Sequence, residues 1–322
     1  MRGGIDLGGT KIQAVVIDES DSVVGQTRLS TPTHGGPADV AGAISEALEE
    51  AAKAAGVSPG ELMGIGVGSP GSVDEATGTV ANARNLPNWT KPFPLGETLA
   101  SRFGVPVRVG NDVGTAVEGE AVLGAGRPFH TFLGLWWGTG VGGAIMVEKH
   151  RWLGRGAAGE IGHMVIKLGG AKCTCGRRGC LEAYAGRAAM ERKARRAQKR
   201  GVKTRLFALM EQHGHDQLTS SVWQHALDEH DAYAEKLIER AIRALGAGAA
   251  SAVNLIDVEA VVVGGGLGTR LGEPGVARIR EAMLPHLFVD DRPPEMRLSE
   301  LGDLGGAISA ARLVPCAPKQ AR

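Results

Sequence analysis

The sequence predicts an α/β protein with partly parallel sheets. Short apolar runs alternate with helix-periodic segments at the spacing of strand–helix–strand units, and two glycine-rich turns each join a pair of apolar runs. Glycine makes up 49 of the 322 residues, stands beside apolar runs and follows no three-residue period, which excludes a collagen-like chain. At about 150 residues per domain, the length predicts two domains.

The first half of the chain opens with a hairpin. Two strand-like runs between Ile5 and Asp18 enclose a turn at residues 8–11. Residues 38–56 have helical periodicity and end at Gly56, a natural C-cap. The elements predicted next are a strand over 62–68, a helix over 95–103, a strand over 105–109 and a helix from 112 to about 123.

The second half repeats the opening pattern. Two apolar runs within residues 132–147 enclose a glycine-rich turn at 138–143, which indicates two halves built on one plan. The segments that follow are an irregular stretch over 150–182, a largely helical stretch over 183–256 broken near His213, a strand over 259–263 that ends in three glycines, and a last helix from Gly305 to about Leu313.

Charge and hydropathy exclude several classes of protein. The formal net charge is +1, which gives no electrostatic case for nucleic acid or an anionic membrane. The basic stretch 191–205 contains no aromatic residue, so a solvated helix face is favoured over a nucleic-acid patch. No secretory signal is evident, and the longest apolar run, 132–147, is too short and too glycine-rich to span a bilayer. We therefore expect a cytoplasmic protein.

Three glycine-rich turns, at 8–11, 138–143 and 264–268, follow apolar strands. Glycine allows backbone N–H groups to converge on phosphate oxygens, although any one such turn alone is more typical of a plain hairpin. The 138–143 turn matches G-x-G-x-x-G, but a strand follows it where a dinucleotide site needs a helix. A strand also follows Lys11, which excludes a Walker A loop. Together the turns predict a site for a nucleotide with several phosphates.

Two aspartates stand where catalysis would need them. Asp6 precedes the first turn and is either an inward polar residue or a water-mediated ligand of Mg²⁺. Asn111 and Asp112 lie between a strand and a helix, where either type caps helices. The carboxyl end of a strand in an open α/β sheet is also where a general base would meet its substrate, and the hypothesis is that Asp112 is that base.

A cluster of cysteines predicts a metal site. The spacing Cys173-x-Cys175-x4-Cys180, with His163 upstream, supplies the four ligands of a structural Zn²⁺ site, and Cys-x-Cys is awkward for a disulfide. Glu160 and Glu182 flank this loop, and their carboxylates suit the hydroxyls of a polyol.

The chain resembles the ROK family (repressors, uncharacterised reading frames and sugar kinases) of the actin-like ATPase superfamily. The match covers nearly the whole chain, and the cysteine signature with its following glutamate is the most specific part. The motifs that carry the resemblance are DLGGTK at 6–11, GVGSPG at 66–71, Asn111-Asp112, GTGVGG at 138–143, GEIGH at 159–163, CTCGRRGCLE at 173–182 and GGGL at 264–267.

The resemblance implies a fold, an assembly and residue roles. It implies two α/β domains of the ribonuclease H-like type around a cleft, which we place at 1–111 plus 303–322 and at 112–302 with a zinc loop over 163–180, and it implies a homodimer. The family's sugar-contacting positions correspond here to Gly71, Asn111, Asp112, Glu160, His163 and Glu182, with Asn85 as a weaker candidate. The phosphate and adenosine positions correspond to Gly8, Gly9, Thr10, Lys11, Gly138, Thr139, Gly140, Gly264, Gly265 and Gly266. Trp136-Trp137 departs from the family pattern, which has smaller residues there.

The activity expected from the resemblance is ATP-dependent phosphorylation of glucose at the 6-hydroxyl, with Mg²⁺ and structural Zn²⁺. Mannose, fructose, N-acetylglucosamine and N-acetylmannosamine remain alternative substrates. A sugar-responsive transcriptional regulator is an alternative of another class, but it would need a DNA-binding helix pair ahead of the hairpin that starts by Ile5. An NAD-dependent dehydrogenase has only the G-x-G-x-x-G match in its favour.

Overall fold

The computed structural model describes residues 1–315. Residues 316–322, which include Cys316 and the end of the predicted 303–322 segment, lie outside the described residues. The chain divides into two compact units, Met1–Gly124 with Glu300–Arg322, and Ala125–Ser299. No helix within residues 1–315 is long and apolar enough to cross a membrane.

Strands and helices alternate along the chain as the fold class requires. The strands are Arg2–Leu7 (β1), Lys11–Ile17 (β2), Val23–Ser30 (β3), Ile65–Ser69 (β4), Ser72–Asp74 (β5), Thr79–Ala81 (β6), Val107–Asn111 (β7), Phe132–Trp137 (β8), Val141–Val147 (β9), His150–Arg151 (β10), Ala260–Gly264 (β11) and Glu295–Leu298 (β12). The α-helices are Pro37–Ala54 (α1), Leu95–Phe103 (α2), Asp112–Leu123 (α3), Glu182–Ala185 (α4), Arg187–Gln198 (α5), Leu206–Gln212 (α6), Ser220–Asp228 (α7), Ala232–Ile256 (α8), Gly265–Met283 (α9) and Gly305–Ala311 (α10).

The sheet of the first unit has the order β3-β2-β1-β4-β7. The predicted opening hairpin is confirmed, because β1 and β2 pair antiparallel across the 8–11 turn. Strands β1, β4 and β7 are parallel, and their register aligns Asp6 with Gly68 and Gly68 with Gly110. The carboxyl ends of three parallel strands therefore meet at one edge of this sheet.

Helices cover both faces of the first sheet. Helix α1 packs on β2 and β3, and the predicted stop near Gly56 is confirmed, because Gly56 adopts a positive φ of 75° just after the C-cap. Helix α10 lies on β1 and β4. There Gly4 and Gly66 are register neighbours, and a Cβ on either would collide with the helix backbone at Ala307 or Ala310. The two missing side chains let this helix approach the sheet directly.

The sheet of the second unit has the order β10-β9-β8-β11-β12. Strand β8 pairs antiparallel with β9 and parallel with β11, which in turn pairs parallel with β12. The order and directions reproduce those of the first sheet, so the two-halves plan predicted from the repeated hairpin is confirmed. The core is largely aliphatic and includes the fully buried Trp137 and Trp223.

Some elements differ from the prediction. Strand β3 alternates buried and exposed residues, and β12 has four residues, so neither had a continuous apolar signal. The units divide at Gly124 and Glu300, not at residues 111 and 303. Helix α3 packs on α10, and its buried Glu120 accepts the backbone N–H groups of Glu300 and Leu301 at 3.1 and 3.0 Å, which holds both segments in the first unit.

Candidate active site

The first glycine turn is a tight hairpin with a fixed backbone. The Gly8 N–H donates to the Lys11 carbonyl at 2.9 Å, and the Thr31 hydroxyl donates to the Gly8 carbonyl at 2.7 Å. Gly9 lies against Asn85, since a Cβ on this glycine would be 2.9 Å from the Asn85 carbonyl oxygen. The structure thus places Asn85, which the resemblance linked to sugar, beside the predicted phosphate turn.

Lys11 is held by acidic and amide groups next to this turn. Its ammonium donates to Asp303 Oδ1 at 2.6 Å and to the Gln13 side-chain oxygen. The pKa of the half-buried Asp6 carboxyl is raised, mainly because burial disfavours its charged form. The charge of Lys11 lowers this pKa in part, and the charge of Asp303 raises it further. A lysine predicted to meet phosphate therefore belongs to a charge network with two aspartates.

The predicted base lies at the carboxyl edge of the first sheet. Asn111 is the N-cap of α3, and its Oδ1 accepts the Gly114 N–H at 2.9 Å. Asp112 is the first helical residue, and a Cβ on Gly68 would lie 3.5 Å from its Cα. Because Gly68 also pairs with Asp6, the two carboxylate residues flank the same glycine. Asn111 supplies the N-cap, and Asp112 Oδ1 accepts the Val113 N–H at 2.9 Å, so the Asp112 carboxylate also binds the first turn of α3.

Gly71 follows β4 at the same edge. Its φ is 95°, and a Cβ there would lie 2.6 Å from the Ala81 carbonyl oxygen. Glycine is therefore required both by the backbone conformation and by the close approach of the β5–β6 ribbon. Its exposed backbone suits a ligand contact that no side chain could make.

The second glycine turn lies on the N-terminus of α5. The backbone N–H groups of Arg187 and Ala188 donate to the carbonyls of Gly138 and Thr139 at 3.1 and 3.0 Å. In a trans peptide the N–H points opposite to the carbonyl, so the N–H groups of Thr139 and Gly140 face away from the helix. The turn presents two adjacent donors, as phosphate binding requires.

The third turn lies beside the second. A Cβ on Gly138 would lie 3.8 Å from the Gly266 nitrogen, and one on Gly265 would lie 2.7 Å from the Trp137 carbonyl oxygen. Gly265 has a φ of 81° and begins α9, so this turn joins a strand to a helix, whereas the other two are hairpins. Both predicted nucleotide turns of the second unit therefore form one surface.

The two tryptophans that depart from the family pattern pack behind these turns. Trp137 is buried and donates its indole N–H to the Ala185 carbonyl at 2.7 Å. The Trp136 ring occupies the space where a side chain on Gly264, its partner in β11, would be. The missing side chain on Gly264 accommodates the large ring.

The four predicted metal ligands converge. The donor atoms of His163, Cys173, Cys175 and Cys180 all lie within 4.8 Å of one another. The Sγ atoms of Cys175 and Cys180 are 3.7 Å apart, and Cys173 Sγ is 3.8 Å from His163 Nδ1. With a Zn–S distance of about 2.3 Å, tetrahedral geometry puts neighbouring ligands about 3.8 Å apart. The set therefore fits a tetrahedral metal ion.

The three thiols have uneven environments. Burial raises the pKa of Cys173, and burial together with hydrogen bonds to Cys175 and Cys173 raises the pKa of Cys180 to about 12. Burial also raises the pKa of Cys175, but a hydrogen bond from the Arg177 backbone and hydrogen bonds with the two other cysteines outweigh burial and lower this pKa to about 7. A bound metal ion would hold all three as thiolates.

Glu182 connects the metal-ligand loop to the second turn. Its Oε1 accepts the Thr174 hydroxyl at 2.8 Å, and its Oε2 lies 3.2 Å from the Val141 nitrogen, which donates to it. Glu160 is exposed just before the 3-10 turn that carries His163. That these carboxylates meet the hydroxyls of a polyol stays a prediction, and the contacts of Glu182 with Thr174 and Val141 were not visible in the sequence.

Comparison with known proteins shows which family the chain belongs to. The ROK family model matches residues 2–317. The chain belongs to the ROK family. It is 32% identical to a glucokinase from Thermotoga maritima over 319 residues, which cover 97% of this chain and 96% of that protein.

Two further relatives are a glucokinase of known structure and a repressor. A crystal structure of a ROK glucokinase from Streptomyces griseus in complex with glucose and AMPPNP superposes with a TM-score of 0.83 at 32% identity, covering 97% of this chain and 98% of that one. A xylose repressor from Caldicellulosiruptor bescii is 27% identical over 89% of this chain and 70% of its own length. The predicted α/β fold of the actin-like ATPase superfamily is confirmed for this ROK protein.

Proposed function

We propose that this ROK protein transfers the γ-phosphoryl group of ATP to the 6-hydroxyl of glucose. The observation that supports the proposal is the position of Asp112, at the carboxyl end of a parallel strand, beside Gly68 and Asp6, with Asn111 supplying the N-cap. The glucokinase relatives, one of them bound to glucose and AMPPNP, support the choice of substrates.

The first unit would supply the base and one phosphate turn. Asp112 accepts the proton of the sugar hydroxyl as that oxygen attacks the γ-phosphorus, and Asn111 and Gly71 orient the sugar from the same edge. The remaining Asn111 amide nitrogen is a donor, since its oxygen holds the helix cap. The 8–11 turn offers backbone N–H groups to the phosphates.

The second unit would supply the nucleotide turns and the hydroxyl acceptors. The outward N–H groups of Thr139 and Gly140 bind phosphate oxygens, and Gly264–Gly266 approach the adenosine. Glu160, Glu182 and His163 accept or donate hydrogen bonds to sugar hydroxyls. His163 can serve both the metal and the sugar, because its Nδ1 faces Cys173 and leaves the other ring nitrogen for the substrate.

Two metal ions are part of the proposal. His163, Cys173, Cys175 and Cys180 would hold Zn²⁺ in a structural role, since all four tetrahedral positions are filled by side chains. Asp6 would hold Mg²⁺ through water, which agrees with that ion's preference for one or two carboxylates beside substrate phosphates. Mg²⁺ offsets charge on the transferring phosphoryl group when bound.

A coupled ATP assay across glucose, mannose, fructose, N-acetylglucosamine and N-acetylmannosamine tests the activity. We expect glucose-dependent ADP release, with phosphate attached to O6 in the NMR spectrum of the product. A higher kcat/KM for another sugar would overturn glucose as the substrate, and sugar binding without ADP release would favour the sugar-responsive regulator. The homodimer stays a prediction, which light scattering tests against the 33.4 kDa chain mass.

A further inference from the structure

Arg187 is a buried cation directly behind the second glycine turn. It is the first residue of α5 and is 7% exposed. One guanidinium nitrogen donates to the Thr139 hydroxyl at 2.7 Å, and another donates to the Leu218 carbonyl at 2.8 Å. The buried Nε has no hydrogen-bond partner among residues 1–315.

The charge of this guanidinium is not matched by an ion pair within the described residues. The carboxylate whose charge acts on it is Glu191, one helical turn along α5. Glu191 is engaged elsewhere, because its Oε1 accepts Arg195 at 2.6 Å and its Oε2 accepts the Leu218 N–H at 3.0 Å. Burial lowers the pKa of Arg187, as expected for a cation removed from water without a paired anion.

Burying an unpaired charge lowers the stability of the fold, so the position of Arg187 beside the second glycine turn points to a role there. The side chain of Arg187 fixes Thr139, and its backbone N–H fixes the Gly138 carbonyl. Both contacts hold the turn with the N–H groups of Thr139 and Gly140 facing away from the helix. The N-terminus of α5, the positive end of its dipole, lies behind the same turn.

We propose that Arg187 is the positioning residue for the nucleotide phosphates: it fixes the second glycine turn through Thr139 and supplies a positive charge that attracts an incoming polyphosphate. The proposal rests on the proposed function, in which this turn binds phosphate. A lysine could not do the same, because only a guanidinium fork reaches Thr139 and Leu218 with two separate nitrogens.

The charge acts through space, so its effect grows with the number of phosphates on the ligand. A residue that only stabilised the fold would weaken adenosine, ADP and AMPPNP by the same factor. We expect Arg187→Met to weaken AMPPNP binding at least about tenfold, ADP binding less, and adenosine binding by less than about twofold. Glucose affinity should not change.

Isothermal titration of the full-length protein with adenosine, ADP, AMPPNP and glucose tests the proposal. Arg196→Met is the matched control, since Arg196 is exposed in the last turn of the same helix. Arg187→Lys keeps the charge and should recover part of the AMPPNP affinity. Thr139→Val removes the contact alone, and its effect should be smaller in the Arg187→Met background than in the wild type.

Equal losses for adenosine and AMPPNP, or no loss for either, would overturn the proposal. Circular dichroism and bound-zinc content show whether Arg187→Met folds. If it does not fold, Arg187→Lys and Thr139→Val are compared with the wild type for adenosine, ADP and AMPPNP binding instead. Measurements on the wild type distinguish a failure of this inference from a failure of the proposed function. If the wild type binds AMPPNP but does not phosphorylate a sugar, the sugar kinase is rejected and the role of Arg187 in phosphate binding is not.

Discussion

Glu182 and Thr174 are joined by a hydrogen bond of 2.8 Å that ties the metal-ligand loop to the start of α4. The other oxygen of Glu182 accepts the Val141 N–H at the second glycine turn. One carboxylate therefore bridges the loop predicted to contact sugar and the strand that leaves the turn predicted to contact phosphate. We expect the metal-ligand loop to act on the proposed sugar site through this residue.

Thr174→Val removes the hydroxyl that holds Glu182. We expect the KM for glucose to rise about three- to tenfold, because a hydrogen bond to a charged group is worth about 1–2 kcal/mol at a partly exposed site. Zinc content should not change, since Thr174 is not among the four metal ligands. Thr98→Val, which removes an exposed hydroxyl bound to the Pro94 carbonyl, is the control. An unchanged KM would show that Glu182 holds its position without Thr174.

Cys175→Ala should release zinc and weaken glucose binding at least about tenfold, because the metal orders a loop with few large apolar residues. AMPPNP affinity should fall by less, since α5 independently supports the second turn. Elemental analysis and titration calorimetry measure both effects. Zinc-free wild-type protein, or equal losses of affinity for glucose and AMPPNP, would contradict this account of the loop.

Asp303→Asn tests the charge network around Lys11. Burial alone would raise the pKa of Asp303, but the hydrogen bond and charge of Lys11 and the charge of Arg28 lower it below its ordinary 3.8. A carboxyl with a lowered folded-state pKa stabilises the fold above 3.8 and loses that contribution as the pH falls through its folded-state pKa. Because Asp303 is two-thirds exposed, the contribution is at most about 1 kcal/mol.

Urea unfolding of the wild type and Asp303→Asn measures this difference. The wild type should be more stable at pH 7, and the difference should shrink as the pH falls below about 4, through the folded-state pKa of Asp303. Asp290→Asn, a change in the second unit away from this network, is the control. A difference that grows as the pH falls would mean that Asp303 is not stabilised as an anion.

Local patterns predicted the parts of the molecule that depend on local chemistry. The two glycine hairpins and the Cys173-x-Cys175-x4-Cys180 set are visible because a few neighbouring residues specify each of them. The N-cap by Asn111 was one of two open interpretations of a strand–helix junction, and the backbone geometry assigned it.

Contacts between residues distant in sequence were not predictable in this way. Lys11 meets Asp303 across 292 positions, and Arg187 meets Thr139 across 48. Nothing adjacent to these residues in the sequence indicates these partners. The requirement for glycine at position 4 was equally invisible, because it arises only when helix α10, about 300 residues later, packs against this position.

The substitution Asp112→Asn tests whether Asp112 accepts the proton of the sugar hydroxyl. Asn is nearly isosteric and suits the first turn of α3, so glucose affinity and thermal stability should stay close to wild type. Loss of a general base lowers kcat by about 10²–10⁴-fold. Asp39→Asn, a carboxylate in the first turn of α1, is the matched control and should keep its kcat.

The decisive measurement is the single-turnover rate of glucose phosphorylation by Asp112→Asn at saturating ATP and sugar, with glucose binding measured on the same protein. We expect a rate at least about a hundredfold below wild type, with glucose binding retained. A rate within about threefold of wild type would contradict it.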